Sequence, residues 1–279
     1  MKTGYPSIDK PWMNFYNEIH SYSELPEGSL YDYIWNANKS DLNKIMISYL
    51  GNKISGETFF FKVRCLAHSF QKEGLKKGDV VTLMSLVTPE TIYCIYALNC
   101  LGVIVNSVYF GMSVSEIEDT INKTSSKMLI ILDLAAGKIK NIVDKLEVKK
   151  ILVLSIADSL PWSKNKLYMI KNRKTDFASN KMILYKNFVK GVDENVIQAK
   201  VERDTPAFIV YTSGSTGAPK GVVLTNVNVN STAFNYISAG FNHEKTDIYM
   251  TFIPLFLSIG ISLATRALYL PRHSLELSL

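Results

Sequence analysis

Four hydroxyl residues, three glycines and a lysine crowd into one stretch of ten, Thr212-Ser213-Gly214-Ser215-Thr216-Gly217-Ala218-Pro219-Lys220-Gly221. Such a loop suits a polyphosphate. Gly214 and Gly217 carry no Cβ, so the backbone can turn sharply and aim N–H groups at an anion. Thr212, Ser213, Ser215 and Thr216 add hydroxyl donors, and Lys220 adds a mobile positive charge. Pro219 stiffens the end of the loop. The stretch is not a Walker A loop, which places Gly directly before Lys, then Ser or Thr, then a helix. Here Pro219 precedes Lys220, and the apolar run Val222-Val223-Leu224 predicts a strand after it. The short apolar run Ala207 to Tyr211 predicts a strand before it.

The elements that must hold this loop are legible upstream. Val63, Leu66, Ala67 and Phe70 make one apolar helical face from Glu57, and Gly74 ends it. After a turn at Lys76-Lys77-Gly78-Asp79, Val80 to Val87 predicts a buried strand. Thr88, Pro89 and Glu90 are a cap, a first-turn proline and a dipole-complementing acid for a helix ending near Gly102. Val103 to Val108 is the next strand. Ser113 and Glu116 have capping-box spacing, with Ile117 and Ile121 facing inward. Met128 to Leu132 predicts a strand, Lys138 to Leu146 a helix, and Ile151 to Leu154 another strand. Residues 156–180 are polar and predict a surface loop or linker; Lys181 to Val189 predicts a short helix. His273 to Leu279 alternates like a strand, with Leu275, Leu277 and Leu279 on one side. Strands alternating with helices predict an α/β fold of parallel sheets flanked by helices. The organisation expected is an N-terminal arm over 1–30, a first α/β subdomain over 31–200, and the start of a second over 201–279 that carries the loop.

Composition narrows the function classes. The chain has 279 residues, 47% hydrophobic and 20% charged, which excludes disorder and low complexity. A net charge of +6 is mild, and the lysines between Lys138 and Lys186 are broken by acids and apolar residues. No basic stripe with stacking aromatics predicts nucleic-acid binding. Cys65, Cys94 and Cys100 form no C-x-x-C pair and predict reduced thiols in a cytoplasmic protein. His20, His68, His243 and His273 are scattered, so no metal site is expected. The N-terminus lacks the apolar core of a signal peptide. Thr91 to Phe110 and Ile248 to Thr265 are uncharged and long enough to span a bilayer. Asn99, Gly102 and Asn106 break the first, and Pro254 and Gly260 the second, so both predict buried elements of a sheet protein and no membrane span.

The order Thr212 to Gly221 resembles the signature loop of the adenylate-forming, or AMP-binding, superfamily. The resemblance extends beyond the loop. Gly74-Leu75-Lys76-Lys77-Gly78-Asp79-Val80-Val81 looks like that family's G-(V/L)-x-x-G-D-x-V turn. Pro89 to Asn106, with Gly102-Val103-Ile104-Val105-Asn106, looks like its next helix and strand, and Ser29-Leu30-Tyr31-Asp32-Tyr33 like its usual beginning. Ile253-Pro254-Leu255-Phe256-Leu257-Ser258-Ile259-Gly260 resembles a second motif, P-L-F-H-x-x-G, with Leu257 where many relatives carry His. Residues 28–270 are covered.

The resemblance implies the large N-terminal domain of an acyl-CoA synthetase type of acid–thiol ligase. It implies ATP with Mg2+, a small-molecule carboxylic acid, and coenzyme A as co-substrate. Thr212, Ser213, Gly214, Ser215, Thr216, Gly217 and Lys220 would hold the ATP phosphates; Phe256, Leu257 and Gly260 would line the acyl pocket. Family members are much longer. The Y-G-x-T-E and Y-x-T-G-D motifs and the distal catalytic Lys are absent from these 279 residues, so no catalytic residue is assigned. Two other readings stand beside the ligase: an adenylation domain that loads a carrier-protein thiol, and a non-catalytic remnant that binds ATP or complements another chain. An incomplete second sheet would leave an apolar face exposed, favouring self-association or a partner.

Overall fold

The computed structural model describes residues 2–15, 27–171, 179–212, 219–238, 247–270 and 274–277. In chain order the helices and strands are α1 (Pro6–Asp9), α2 (Leu30–Asn38), β1 (Ile45–Tyr49), β2 (Asn52–Ser55), α3 (Gly56–Lys72), β3 (Val80–Met84), α4 (Pro89–Cys100) and β4 (Ile104–Ser107). There follow α5 (Val114–Thr124), β5 (Met128–Leu132), α6 (Asp133–Ile139), β6 (Lys150–Leu154), α7 (Trp162–Lys171), β7 (Met182–Leu184), α8 (Tyr185–Phe188), β8 (Pro206–Thr212), β9 (Lys220–Thr225), α9 (Asn226–Ser238), β10 (Ile248–Thr251), α10 (Ser258–Tyr269) and β11 (Ser274–Leu277). A 3-10 turn at Pro11–Phe15 follows α1, and this N-terminal stretch is almost wholly exposed.

Short polar side chains start the helices. Ser29, Ser55, Thr88 and Ser113 each accept from a backbone N–H in the first turn of α2, α3, α4 and α5. Both Ser29–Asp32 and Ser113–Glu116 close full capping boxes.

The larger sheet has seven strands in the order β7-β6-β5-β3-β4-β8-β9, all parallel to their neighbours except the β8–β9 hairpin. Along β5, Met128, Ile130 and Leu132 face one core while Leu129 and Ile131 face another. Helices therefore cover both faces, as a parallel sheet requires. The second core takes Ile117, Ile121 and Ile139 from α5 and α6. The first takes α2, α3 and α4 and reaches a smaller sheet, β10-β11-β1-β2. Every residue of α4 is buried. Leu275 and Leu277 of β11 lie in that core, each 1% exposed; Leu279 lies outside the described residues. Both sheets draw strands from either side of residue 200: β8 pairs with β4, and β11 with β1.

Three local expectations need correction. The helix expected over 138–146 is α6, five residues earlier. It begins directly after β5, where the Asp133 side chain accepts from the Leu134 N–H at 2.9 Å. Ile139, Ile142, Val143 and Leu146 keep helical spacing and are buried, but 140–146 is a run of turns. Residues 156–180 are not all loop, because α7 lies within them. Its Trp162 and Leu167 are exposed, so it has no apolar stripe to announce it. Residues 181–189 divide into the edge strand β7 and the single turn α8.

The two uncharged runs are α4 with β4, and β10 with α10. No helix among the described residues is long and apolar enough to cross a membrane.

One buried acid makes stability depend on pH. Glu90, in the first turn of α4, is fully buried, and the Ser159 hydroxyl donates to its Oε1 at 2.5 Å. Burial pushes its carboxyl from 4.5 up to about 7, with Asp158 adding to the rise and Ser159 and Lys62 opposing it. The folded state thus holds a proton that the unfolded chain releases earlier. Stability should fall as pH rises from 4.5 to about 7 and then level off. The loss should be about 3 kcal/mol, at 1.36 kcal/mol per pKa unit. Glu90→Gln should flatten that part of the curve, and urea titrations at pH 5 and pH 8 would measure it. A variant that keeps the same slope would count against this role for Glu90.

Candidate functional site

The hydroxyl and glycine stretch is carried by a β-hairpin. Thr212, the last residue of β8, pairs across the ladder with Lys220, the first of β9. Both side chains are exposed. A hydroxyl and an ammonium are thus brought together at the mouth of the hairpin, an arrangement that suits a phosphate group. Ser213, Gly214, Ser215, Thr216 and Gly217 lie outside the described residues.

The hairpin mouth is at the carboxyl end of β8. The chain runs from β3 to β4 on one side and then from β4 back across β3 to β5, so strand order reverses between β3 and β5, with β4 and then β8 on the other side of β3. Ligands of open α/β sheets bind outside the carboxyl ends of strands at such a reversal.

A buried polar network fixes β8 just before the loop. The Tyr211 hydroxyl donates to Asn106 Oδ1 on β4 at 2.9 Å. Asn106 Nδ2 donates to Thr82 Oγ1 on β3, also at 2.9 Å. Thr82 and Ser126 share a 2.6 Å hydrogen bond, and Ser126 bonds Thr124 at 2.8 Å. Burial raises the Tyr211 hydroxyl pKa, with the bond to Asn106 working against the rise, so Tyr211 is a neutral donor here. Three parallel strands are thereby locked in register beneath the loop. Sequence reading missed this network; its one signal is a fully buried asparagine in an apolar strand. Asn106→Leu leaves the Tyr211 hydroxyl and Thr82 without that partner and should cost about 1–3 kcal/mol in a denaturant titration. A change below about 0.5 kcal/mol would show that the network does not hold these strands together.

The second motif sits at the adjacent strand end. The Ser107 hydroxyl, at the end of β4, donates to the Leu255 carbonyl at 3.0 Å. The Phe256 ring meets the Tyr109 ring at 5.0 Å between centroids. Leu257 is the N-cap residue of α10, offers no side-chain cap, and is 38% exposed. Phe256 is half-buried, so neither residue is a closed core position. Gly260 is buried in the first turn of α10; a Cβ there would lie 2.3 Å from the Pro254 carbonyl oxygen. The structure thus places Thr212 and Lys220 at the carboxyl end of β8. It anchors Phe256, Leu257 and Gly260 at the carboxyl end of its neighbour β4.

Among the described residues, no group of three or more His, Cys, Asp or Glu side chains could hold a metal ion.

Comparison with known proteins adds a family. Residues 34–270 match the model of the AMP-binding enzyme family. The chain is 29% identical over 228 residues to a long-chain-fatty-acid–CoA ligase of Bacillus subtilis, covering 79% of this chain and 40% of that ligase. The fold is similar to that of the anthranilate CoA ligase AuaEII in complex with anthranoyl-AMP, with a TM-score of 0.74 at 16% identity. That match covers 94% of this chain and 46% of AuaEII. The N-terminal domain of FACL13 from Mycobacterium tuberculosis has a TM-score of 0.71 at 17% identity; the match covers 90% of this chain and 57% of that domain. The chain therefore spans less than half the length of the Bacillus ligase and of AuaEII.

Proposed function

Because the chain belongs to the AMP-binding enzyme family, we propose that it serves the ATP-dependent activation of a small carboxylic acid to an acyl-adenylate, followed by transfer to a thiol such as coenzyme A. The observation that carries this reading is the hairpin mouth, where Thr212 and Lys220 face each other at the end of the strand that precedes the hydroxyl and glycine loop. Thr212, Ser213, Gly214, Ser215, Thr216, Gly217 and Lys220 hold the leaving β- and γ-phosphates. The carboxylate attacks the α-phosphate, the bond to the β-phosphate breaks, and pyrophosphate leaves. Holding the leaving group and neutralising its charge lowers the barrier to that step. Mg2+ accompanies the ATP phosphates and supplies further neutralisation.

Phe256, Leu257 and Gly260 form part of the acyl-binding wall. Leu257 brings no imidazole, so any positioning of the carboxylate falls to other groups. The 1–30 arm, the 31–200 subdomain and the 201–279 segment remain our division of the chain. Three buried free thiols support a reducing compartment, and we place the protein in the cytoplasm.

A second reading is an ATP-binding chain without turnover, which the pairing of Thr212 with Lys220 at the hairpin mouth would also support. Acid-dependent ATP–pyrophosphate exchange tests the two. Exchange with any acid of a broad panel supports the ligase. ATP binding without exchange for every acid leaves the binder.

A further inference from the structure

The loop from β6 to α7, residues 155–161, joins the two sheets through hydrogen bonds that water could replace. The Tyr49 hydroxyl of β1 donates to the Ile156 carbonyl at 3.2 Å, and Asn52 Nδ2 of β2 donates to the Ser159 carbonyl at 2.9 Å. Asn165 Nδ2 of α7 donates to the Ala157 carbonyl at 2.6 Å. Within the loop, the Asp158 carboxylate accepts from the Ser155 N–H at 2.9 Å. The anchor on the other side is Glu90 of α4, whose Oε1 takes the Ser159 hydroxyl. Glu90 Oε2 is buried and has no hydrogen-bond partner among the described residues.

The titratable groups facing Glu90 are Lys62 of α3, Asp158 of the loop, Tyr49 of β1, Tyr185 of α8, and Tyr93 and Cys94 of α4 itself. Burial raises the three tyrosine hydroxyls and the thiol, so all four stay neutral. Lys62 lies over the Tyr93 ring, 5.3 Å from its centroid. Asp158 is a second acid, pushed up by burial to about 6. An ionised Glu90 therefore finds one hydroxyl donor and a like charge, which is poor compensation for a buried carboxylate. Its surroundings do not yield equally. Every residue of α4 is buried. Most of the loop is only half-buried, and α7 beyond it is largely exposed. Lifting the loop is the least disruptive way to bring water to the carboxylate.

We propose that Glu90 and the 155–161 loop form a proton-held latch between the two sheets: neutral Glu90 keeps the loop clamped, and ionised Glu90 releases the loop with α7 while the rest of the fold stays closed.

The test is hydrogen exchange of the full chain at pH 5.5 and pH 8, each with and without 1 M urea. Opening gains up to tenfold per pH unit between 4.5 and about 7. Corrected for intrinsic rates, the Ser155, Asp158 and Leu160 amides should exchange at least tenfold faster at pH 8. Urea should leave these rates unchanged, because lifting a loop exposes little surface. The amides of β5 should exchange far more slowly and respond to urea, because they need global unfolding. Glu90→Gln cannot ionise, so its loop should exchange equally slowly at both pH values. Asp158→Asn should keep most of the pH effect. Loop amides that exchange in step with β5, with the same urea response, would overturn the latch. So would equal corrected rates at the two pH values in wild type, a pH effect that survives Glu90→Gln, or one that vanishes in Asp158→Asn. The wild-type and Asp158→Asn comparisons decide the matter even where Glu90→Gln fails to fold.

Discussion

Replacing Lys220 by alanine is expected to weaken ATP binding by roughly ten- to a hundredfold. Lys220 is exposed at the first position of β9, opposite Thr212. Its removal therefore leaves no buried partner unsatisfied and should not disturb the fold. What it removes is one charge-assisted contact to a phosphate, about 1.5–3 kcal/mol, and each 1.4 kcal/mol is about tenfold in affinity. Lys220→Arg keeps the charge but replaces a compact ammonium with a planar fork, so it should recover only part of the affinity. Calorimetric titration of ATP into wild type and both variants measures this. Equal affinities in all three would remove Lys220 from the site.

Gly260→Ala is expected to be the most destabilising single substitution at the site. The new methyl would lie 2.3 Å from the Pro254 carbonyl oxygen and 3.0 Å from that of Ile253. Both are backbone atoms, and the ring of Pro254 limits how the chain can retreat. The first turn of α10 must lift away, and with it the 253–257 segment that Ser107 and Tyr109 anchor. A loss of about 3 kcal/mol is expected, or roughly 6–12 °C in Tm for a chain of this size class. Gly137→Ala is the control. It lies within α6 with nothing inside 4 Å of a new Cβ, so a small gain is expected from helix propensity. Thermal unfolding of the two variants side by side reports the contrast. If Gly260→Ala melts with Gly137→Ala, the segment is not packed as described.

Much of this architecture could be read from the residues, for identifiable reasons. α5 announces itself because a capping box and inward-facing isoleucines agree, while α3 is marked by its apolar face alone and α4 by its cap and first-turn proline. Thr88 with Pro89, and Ser113 with Glu116, mark starts that the backbone obeys. α6 was misplaced because the apolar spacing of Ile139 to Leu146 continues through turns that bury the same residues. α7 was missed because its apolar residues follow no helical period, with Trp162 and Leu167 exposed. That β8 joins β4 in one sheet, and β11 joins β1 in another, depends on pairings far apart in sequence. Local pattern holds no information about them.

The same division applies to the site. The residue order from Thr212 to Gly221 was legible because its chemistry is local. The network from Tyr211 through Asn106 to Thr82 was not, because its members lie more than a hundred residues apart at the extremes and meet only once the strands are in register. Gly260 was legible as a motif residue, but its steric necessity rests on the path of Ile253 and Pro254.

The central claim is that the loop between β8 and β9 grips the leaving phosphates of ATP. The most direct measurement is the phosphorus NMR spectrum of ATP titrated with the chain. The account predicts that the β- and γ-phosphate resonances broaden and shift more than the α resonance, and that Lys220→Ala abolishes the difference. An α-phosphate change alone, or β and γ changes that survive Lys220→Ala, would contradict it.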